Sequence, residues 1–274
     1  MIRSDESGAA VAVGQGEDMT GHFESKPPTK VLSRITTLID AFDGHGQLTL
    51  TEVAEHAGIP RSSAHRMLDS LVKLRWVRRD GHRYELGIRL AELGALAIHQ
   101  ARLHRVILPY LHDLHAQTGL LVHLAVLDGP DIVCLEKIGG RSAAAVPTRV
   151  GGRLPAHCSG LGKALLSCAS PAELGALGSG PLPRRTAHSV VSRAQLDREI
   201  TTIRQRGLAF DRQELTIGFG CVAAPVQVAA VATSAISLCG PIAEVQNPVF
   251  AGYVRESAQA ARRALAYSIR RQSA

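Results

Sequence analysis

No stretch of this sequence is both long enough and apolar enough to cross a bilayer. The longest candidate, residues 222–238, is interrupted by Pro225, Gln227, Thr233 and Ser234, which leaves it too short and too polar for a spanning helix. The first residues carry neither a basic start followed by an apolar run nor a small-residue cleavage site, so no secretory leader is expected. Cysteine is sparse: Cys134, Cys158, Cys168, Cys221 and Cys239 form no CxxC pair and no repeated ligand spacing. An odd number in a chain of this length argues against a disulfide framework and for a reducing cytoplasm. His112 and His115 stand three apart on one expected helix, but no third ligand accompanies them. They read as exposed histidines, and no metal is expected. Nucleotide and hydrolase motifs are missing too. In LPAHCSGLGKALL the first glycine of a P-loop would fall on His157 and its final Ser/Thr on Ala164, and a nucleophile elbow around Ser159 would need glycine at 157. No cofactor is expected.

What the chain does have is apolar content and positive charge. Its 274 residues, 45% hydrophobic, are enough for about two domains with a sizeable core. A net charge of +7 points to nucleic acid or another anionic surface. Residues 48–86, LTLTEVAEHAGIPRSSAHRMLDSLVKLRWVRRDGHRYEL, decide between them. Thr51 is expected to cap a short helix whose inner face is Val53, Ala54 and Ala57, with Gly58 supplying the turn. Pro60 is expected in the first turn of a second helix that buries Ala64, Met67, Leu68, Leu71 and Leu74. Arg61, Ser62, Ser63, His65, Arg66 and Asp69 then face outward. Cations and small hydroxyls near a helix N-terminus suit base edges and phosphates in a major groove. β-Favouring residues flank Asp80-Gly81, a hairpin signal that puts Arg78, Arg79, His82 and Arg83 at the tip of a wing. Cations outnumber acids by roughly five between positions 61 and 83, a surplus that wants phosphate. The reading is a winged helix-turn-helix with double-stranded DNA as partner.

Residues 1–28 are rich in Gly, Ser, Asp and Glu and read as a disordered arm. Val31, Leu32, Ile35, Leu38, Ile39 and Phe42 mark the apolar face of a first helix ended by Asp43-Gly44, completing a DNA-binding domain over 29–87. Residues 88–104 form a linker helix apolar on so much of its surface that a second chain is expected to cover it, as a homodimer or homotetramer. In residues 105–274, a helix over 105–118 buries Ile107, Leu108, Leu111 and Leu114. Two β runs follow, joined by Asp128-Gly129-Pro130-Asp131. A glycine turn at 150–152 then leads through LPAHCSGLGKALL to a helix expected at Lys163. Polar helices are expected from about 171 and over 192–206, strands near 208–212 and 222–238, and a last helix over 249–270. Without regular βαβ alternation the class is α+β, with a mainly antiparallel sheet. The helix start beside Gly160 and Gly162 aims backbone N–H groups at an anion such as a carboxylate. His157 and Cys158 are poorly placed for proton transfer, because neighbours in an extended segment face opposite ways.

Over residues 31–269 the chain resembles the IclR family of transcriptional regulators. The resemblance is carried by the winged segment quoted above, by LPAHCSGLGKALL, by RQRGLAFDRQELTIGFGCVAAPV and by AISLCGP. It implies a winged helix-turn-helix domain, a linker helix that pairs chains, and a C-terminal GAF-like α/β domain that holds a small organic acid. Residue by residue it implies an effector pocket built from Gly160 and Leu161 at the helix start, Asp211 after the strand, Phe219 and Cys221 around the glycine turn, and Ser237 on the last strand. At the next inward position the family more often has serine, and here it is Cys239, which removes a strong hydrogen-bond donor. An effector changes DNA affinity only by preferring one arrangement of the dimer, and the linker helix is expected to carry the difference, with repression the expected sign. The alternative from another class is an enzyme acting on a small carboxylic acid at Cys158, Asp211 and Cys221, with an accessory DNA-binding domain. A sequence-blind architectural DNA binder is a third reading.

Overall fold

The computed structural model describes residues 30–139, 146–175, 177–228 and 232–271, so the expected N-terminal arm lies outside the described residues. The chain divides into two compact units between Glu92 and Leu93. The first holds α1 (Lys30–Asp40), β1 (Leu48–Thr49), α2 (Leu50–His56), α3 (Arg61–Lys73), β2 (Val77–Asp80) and β3 (Arg83–Leu86). Leu38, Phe42, Val53, Ala64, Leu68, Leu71 and Tyr84 form its core. β2 and β3 pair across a turn in which Gly81 has φ +54°, and β1 adds a third strand on the other edge of β3 that the sequence did not announce.

Several local expectations move by a residue or two. Thr49, not Thr51, caps α2: its hydroxyl accepts from Glu52 N at 3.3 Å while the Glu52 carboxylate accepts from Thr49 N at 2.7 Å. That reciprocal box needs Thr and Glu three apart, a spacing Thr51 does not have. Pro60 is the N-cap of α3 and not a first-turn residue. Its carbonyl accepts from Ser63 and Ala64. Leu74 is 59% exposed, because α3 stops at Lys73 and the backbone turns left-handed at Arg75 (φ 61°), so the buried stripe ends at Leu71. Val31 and Leu32 are exposed for the matching reason: they occupy the first turn of α1, ahead of the part that packs.

α4 (Ile88–Gln100) contains the division between the units and buries none of its residues. α5 (Arg102–Thr118) starts three residues earlier than expected. The second unit is then built on β4 (Leu121–Asp128), β5 (Asp131–Ile138), β6 (Arg153–Pro155), a 3-10 turn (Ala156–Cys158), α6 (Gly160–Leu166), α7 (Pro171–Gly175), α8 (Arg193–Arg206), β7 (Ala209–Arg212), β8 (Phe219–Val228), β9 (Ala232–Pro241), α9 (Ile242–Val245) and α10 (Pro248–Arg270). The expected single strand over 222–238 is two strands, β8 and β9, paired with each other from Phe219–Pro241 to Val228–Ala232. All strand pairings in the six-stranded sheet are antiparallel, in the order β6-β5-β4-β9-β8-β7.

Strand periodicity sorts this sheet into two unlike faces. Val122, Leu124, Val222, Val226, Ile236 and Leu238 pack towards α5 and α10. On the other face Ala125, Cys221, Ala223, Ala235 and Cys239 join the core with α6 and α8. Branched residues dominate the first side, with Ala224 among them, whereas the second gathers small or soft residues on β8 and β9 beside Leu121 and Ile132. Pro225 sits in β8 beyond the last residue paired with β7, so its missing N–H removes no ladder bond on that side.

Candidate functional site

The first candidate surface lies on α3 and the wing. Arg61, Ser62, His65 and Arg66 are exposed and Ser63 is half-buried. His65 Nδ1 lies 3.2 Å from Asp69 one turn on, while Arg61 and Arg66 have no side-chain partner among the described residues. The wing is less uniformly cationic than its sequence suggests. Arg78 is not at the tip: it lies across the ladder from Glu85 and donates to that carboxylate at 2.6 Å, which raises the Arg78 pKa and holds the Glu85 carboxyl below the usual range. Arg79 donates to Gly81 O at 2.9 Å and lies over the Tyr84 ring. Arg83 reaches Gln47 O at 3.4 Å. Among the described residues Arg79 and Arg83 form no ion pair, although Arg83 is near enough to Glu52 to help lower that carboxyl's pKa.

The second candidate is a cavity of about 40 Å³ between α6 and the small-residue face of the sheet. Gly160, Leu161, Asp211, Cys221, Ser237 and Cys239 all line it. Phe219 does not: it lies at the far end of β8, opposite Pro241, packed against the neighbouring core. The helix begins at Gly160 and not at Lys163, with Ser159 as its N-cap. The Ser159 hydroxyl accepts the Gly162 N–H at 3.1 Å, so that amide is already used. The first-turn N–H groups of Gly160 and Leu161 remain without a described partner. Glycine is required at 160 and 162 by close approach. A Cβ at 160 would stand 2.4 Å from Cys221 Sγ, and one at 162 would stand 2.2 Å from Ala156 O.

Polar groups ring the cavity. The Ser237 hydroxyl is 1% exposed and has no hydrogen-bonded partner among the described residues. The Cys221 thiol lies beside it, and a weak contact from the Ser237 hydroxyl to that sulfur works against the rise that burial imposes on the Cys221 pKa. Sulfur is a weak acceptor, so the hydroxyl still lacks an oxygen or nitrogen partner among the described residues. Asp211 accepts the Glu214 N–H at 2.7 Å, yet burial pushes its pKa up to about 7. His123, which was not anticipated, bonds the Thr148 hydroxyl at 2.8 Å, and burial lowers its pKa to about 4, so the ring is neutral at physiological pH. Burial raises the thiols as well: Cys158 and Cys239 to about 12, and Cys221 well above its ordinary value. Cys158 lies on a 3-10 turn rather than an extended segment, and the neighbouring His157 is committed to Pro183 O at 2.8 Å.

Residues 95–266 match the C-terminal domain of the bacterial IclR transcriptional regulators, and residues 31–81 match the IclR helix-turn-helix domain. The chain belongs to the IclR family. XynR of Escherichia coli strain K12, a helix-turn-helix transcriptional regulator, is 30% identical over 251 residues, covering 88% of this chain and 99% of XynR. The transcriptional repressor IclR of the same strain is 29% identical over 215 residues, 75% of this chain and 77% of that protein. Among solved structures, an IclR homologue from Microbacterium hydrocarbonoxydans complexed with 4-hydroxybenzoate superposes with a TM-score of 0.76 at 28% identity, covering 85% of this chain and 98% of that one.

Within this IclR-type domain one cluster escaped the sequence reading. Lys163 is fully buried, and its ammonium donates to Glu214 at 2.6 and 2.7 Å and to Glu199 at 2.6 Å. Burial raises the Glu214 pKa, and the lysine opposes the rise. A lysine inside the otherwise apolar GLGKALL was the available signal. Because Glu214 N is what Asp211 accepts, the lysine fixes the turn that carries the cavity's carboxyl group.

Proposed function

We propose that this chain is a cytoplasmic repressor, homodimeric or homotetrameric, that binds a pseudo-palindromic operator and responds to a small organic acid. Arg61, Ser62, Ser63, His65 and Arg66 read bases, and Arg79 and Arg83 clamp phosphates with Arg78 held back by Glu85. The carrying observation for the effector is the Ser237 hydroxyl, buried without an oxygen or nitrogen partner among the described residues on the wall of a cavity that Gly160 and Leu161 of the α6 start also line. Two amides and a hydroxyl make a carboxylate cradle, and Leu161, Cys221 and Cys239 offer soft apolar surface to the rest of the acid. Asp211, near neutral, donates to a ligand oxygen instead of repelling it. The 4-hydroxybenzoate held by the Microbacterium homologue belongs to the same ligand class. The small cavity here favours a short keto or hydroxy acid over the aromatic one. An enzyme reading is disfavoured because buried, protonated thiols are poor nucleophiles.

The test is a thermal-shift screen of the full chain with short keto acids, hydroxy acids and 4-hydroxybenzoate, followed by mobility shift on DNA from upstream of its own gene. An acid at about 100 times its Kd adds about 2.7 kcal/mol to stability, and Ser237→Ala removes most of that gain. Operator DNA shifts at nanomolar protein with steep salt dependence, and the same acid releases it. Binding no tighter than to random DNA sinks the regulator reading.

A further inference from the structure

A groove of about 320 Å³, far larger than the Ser237 cavity, runs between the end of α8, β8 and α10. Its apolar floor is Ala224, Pro225 and Ala258, and Arg204, Arg206, Arg255 and Arg262 stand around it. Gly207, left-handed at φ 70°, ends α8 and leaves Arg204 and Arg206 on its last turn. Arg255 and Arg262 are seven apart, so α10 presents both on one face. None of the four has a carboxylate partner among the described residues. Asp197 holds Arg193, Glu199 holds Lys163, and the single acid of α10, Glu256, lines a different groove with Tyr110 and Tyr253.

Arginines at the end of α8 are expected without any ligand, because they complement its dipole. That account does not reach Arg255 and Arg262, which lie well away from the C-terminal end of α10. The arginines are also partly set in place. Arg204 Nε donates to Ser167 O at 2.8 Å, and Arg255 reaches Arg206 O at 3.5 Å. Four unneutralised guanidinium groups around one concavity repel each other unless an anion lies among them, and their planar forks suit phosphoryl oxygens. The groove has the volume of a small-molecule site, where a duplex backbone would call for an extended cationic stripe.

We propose that this groove is a second ligand site, taking a small phosphoryl-bearing anion between the end of α8 and α10 and sharing no lining residue with the Ser237 cavity. It is independent of the acid in that cavity, so failure of the acid screen leaves it untouched. Calorimetric titration of the full chain with inorganic pyrophosphate, at ionic strength held constant with chloride, gives one saturable site per chain. Arg255→Ala/Arg262→Ala weakens it about tenfold or more, the corresponding double lysine variant recovers part of the loss, and Ser237→Ala leaves it unchanged. Absence of saturation, or equal affinity in the double alanine variant, overturns the site. Competition by random-sequence duplex for the pyrophosphate would make the groove a DNA contact and overturn it equally.

Discussion

Asp211 is expected to make the proposed effector cavity pH-sensitive. Its pKa rises from 3.8 to about 7 on burial. Between those values the folded chain holds a proton that the unfolded chain has lost, so this group's contribution to stability falls as pH rises. The same proton serves a bound carboxylate: below about 7 the Asp211 side chain donates, and above it two anions face each other. Affinity for an organic acid therefore falls as pH is raised from 6 to 8, and Asp211→Asn flattens that dependence. Calorimetric titrations at both pH values check this, and a wild-type affinity indifferent to pH sets the proton elsewhere. Lys163 gives a second expectation at this scale. Lys163→Met strands the buried Glu214 carboxylate and costs about 3 kcal/mol or more; adding Glu214→Gln recovers part of the loss in a thermal melt.

α6 is the element on which the cavity depends. Gly162→Ala drives a methyl group into the Ala156 backbone, which cannot swing aside as a side chain would. Overpacking of that kind costs about 3 kcal/mol, read as a lower melting temperature with or without ligand. On the wing, Arg83→Ala lowers affinity for all DNA sequences and reduces the salt slope by about one, while Arg66→Ala on α3 costs about 1–3 kcal/mol on operator DNA alone. Equal behaviour of the two variants would merge reading and clamping into one role. These elements were legible because their signals are local: the helical spacing from Ala64 to Leu71, the Asp80-Gly81 hairpin, the Asp128–Asp131 turn. The Thr49 cap was equally local, and only the three-residue spacing to Glu52 distinguishes it from Thr51. Long-range partners were not legible. Lys163 finds its acids 36 and 51 positions away and His123 finds Thr148 25 away, and no periodicity encodes such meetings. Phe219 shares the strand face of Cys221 and yet lies outside the cavity, since period two fixes the face and not the distance along it.

At the scale of the whole molecule, the first expectation is self-association. Ile88 and Leu96 of α4 are 61% and 52% exposed in the single chain, and the helix has no buried residue. Sedimentation at micromolar concentration is expected to give no monomer, and Ile88→Glu/Leu96→Glu to release one; a wild-type monomer that persists there removes the argument. The two unlike faces of the large sheet carry a different consequence. Branched residues against α5 and α10 hold the domain together, whereas alanines, cysteines and a serine against α6 define an empty volume. A change of one methyl or hydroxyl on the α6 side refits the cavity without touching the packing behind it. Ligand preference can therefore drift between descendants of this protein by single conservative substitutions at Ser237, Cys221 or Cys239 while the scaffold stays as it is.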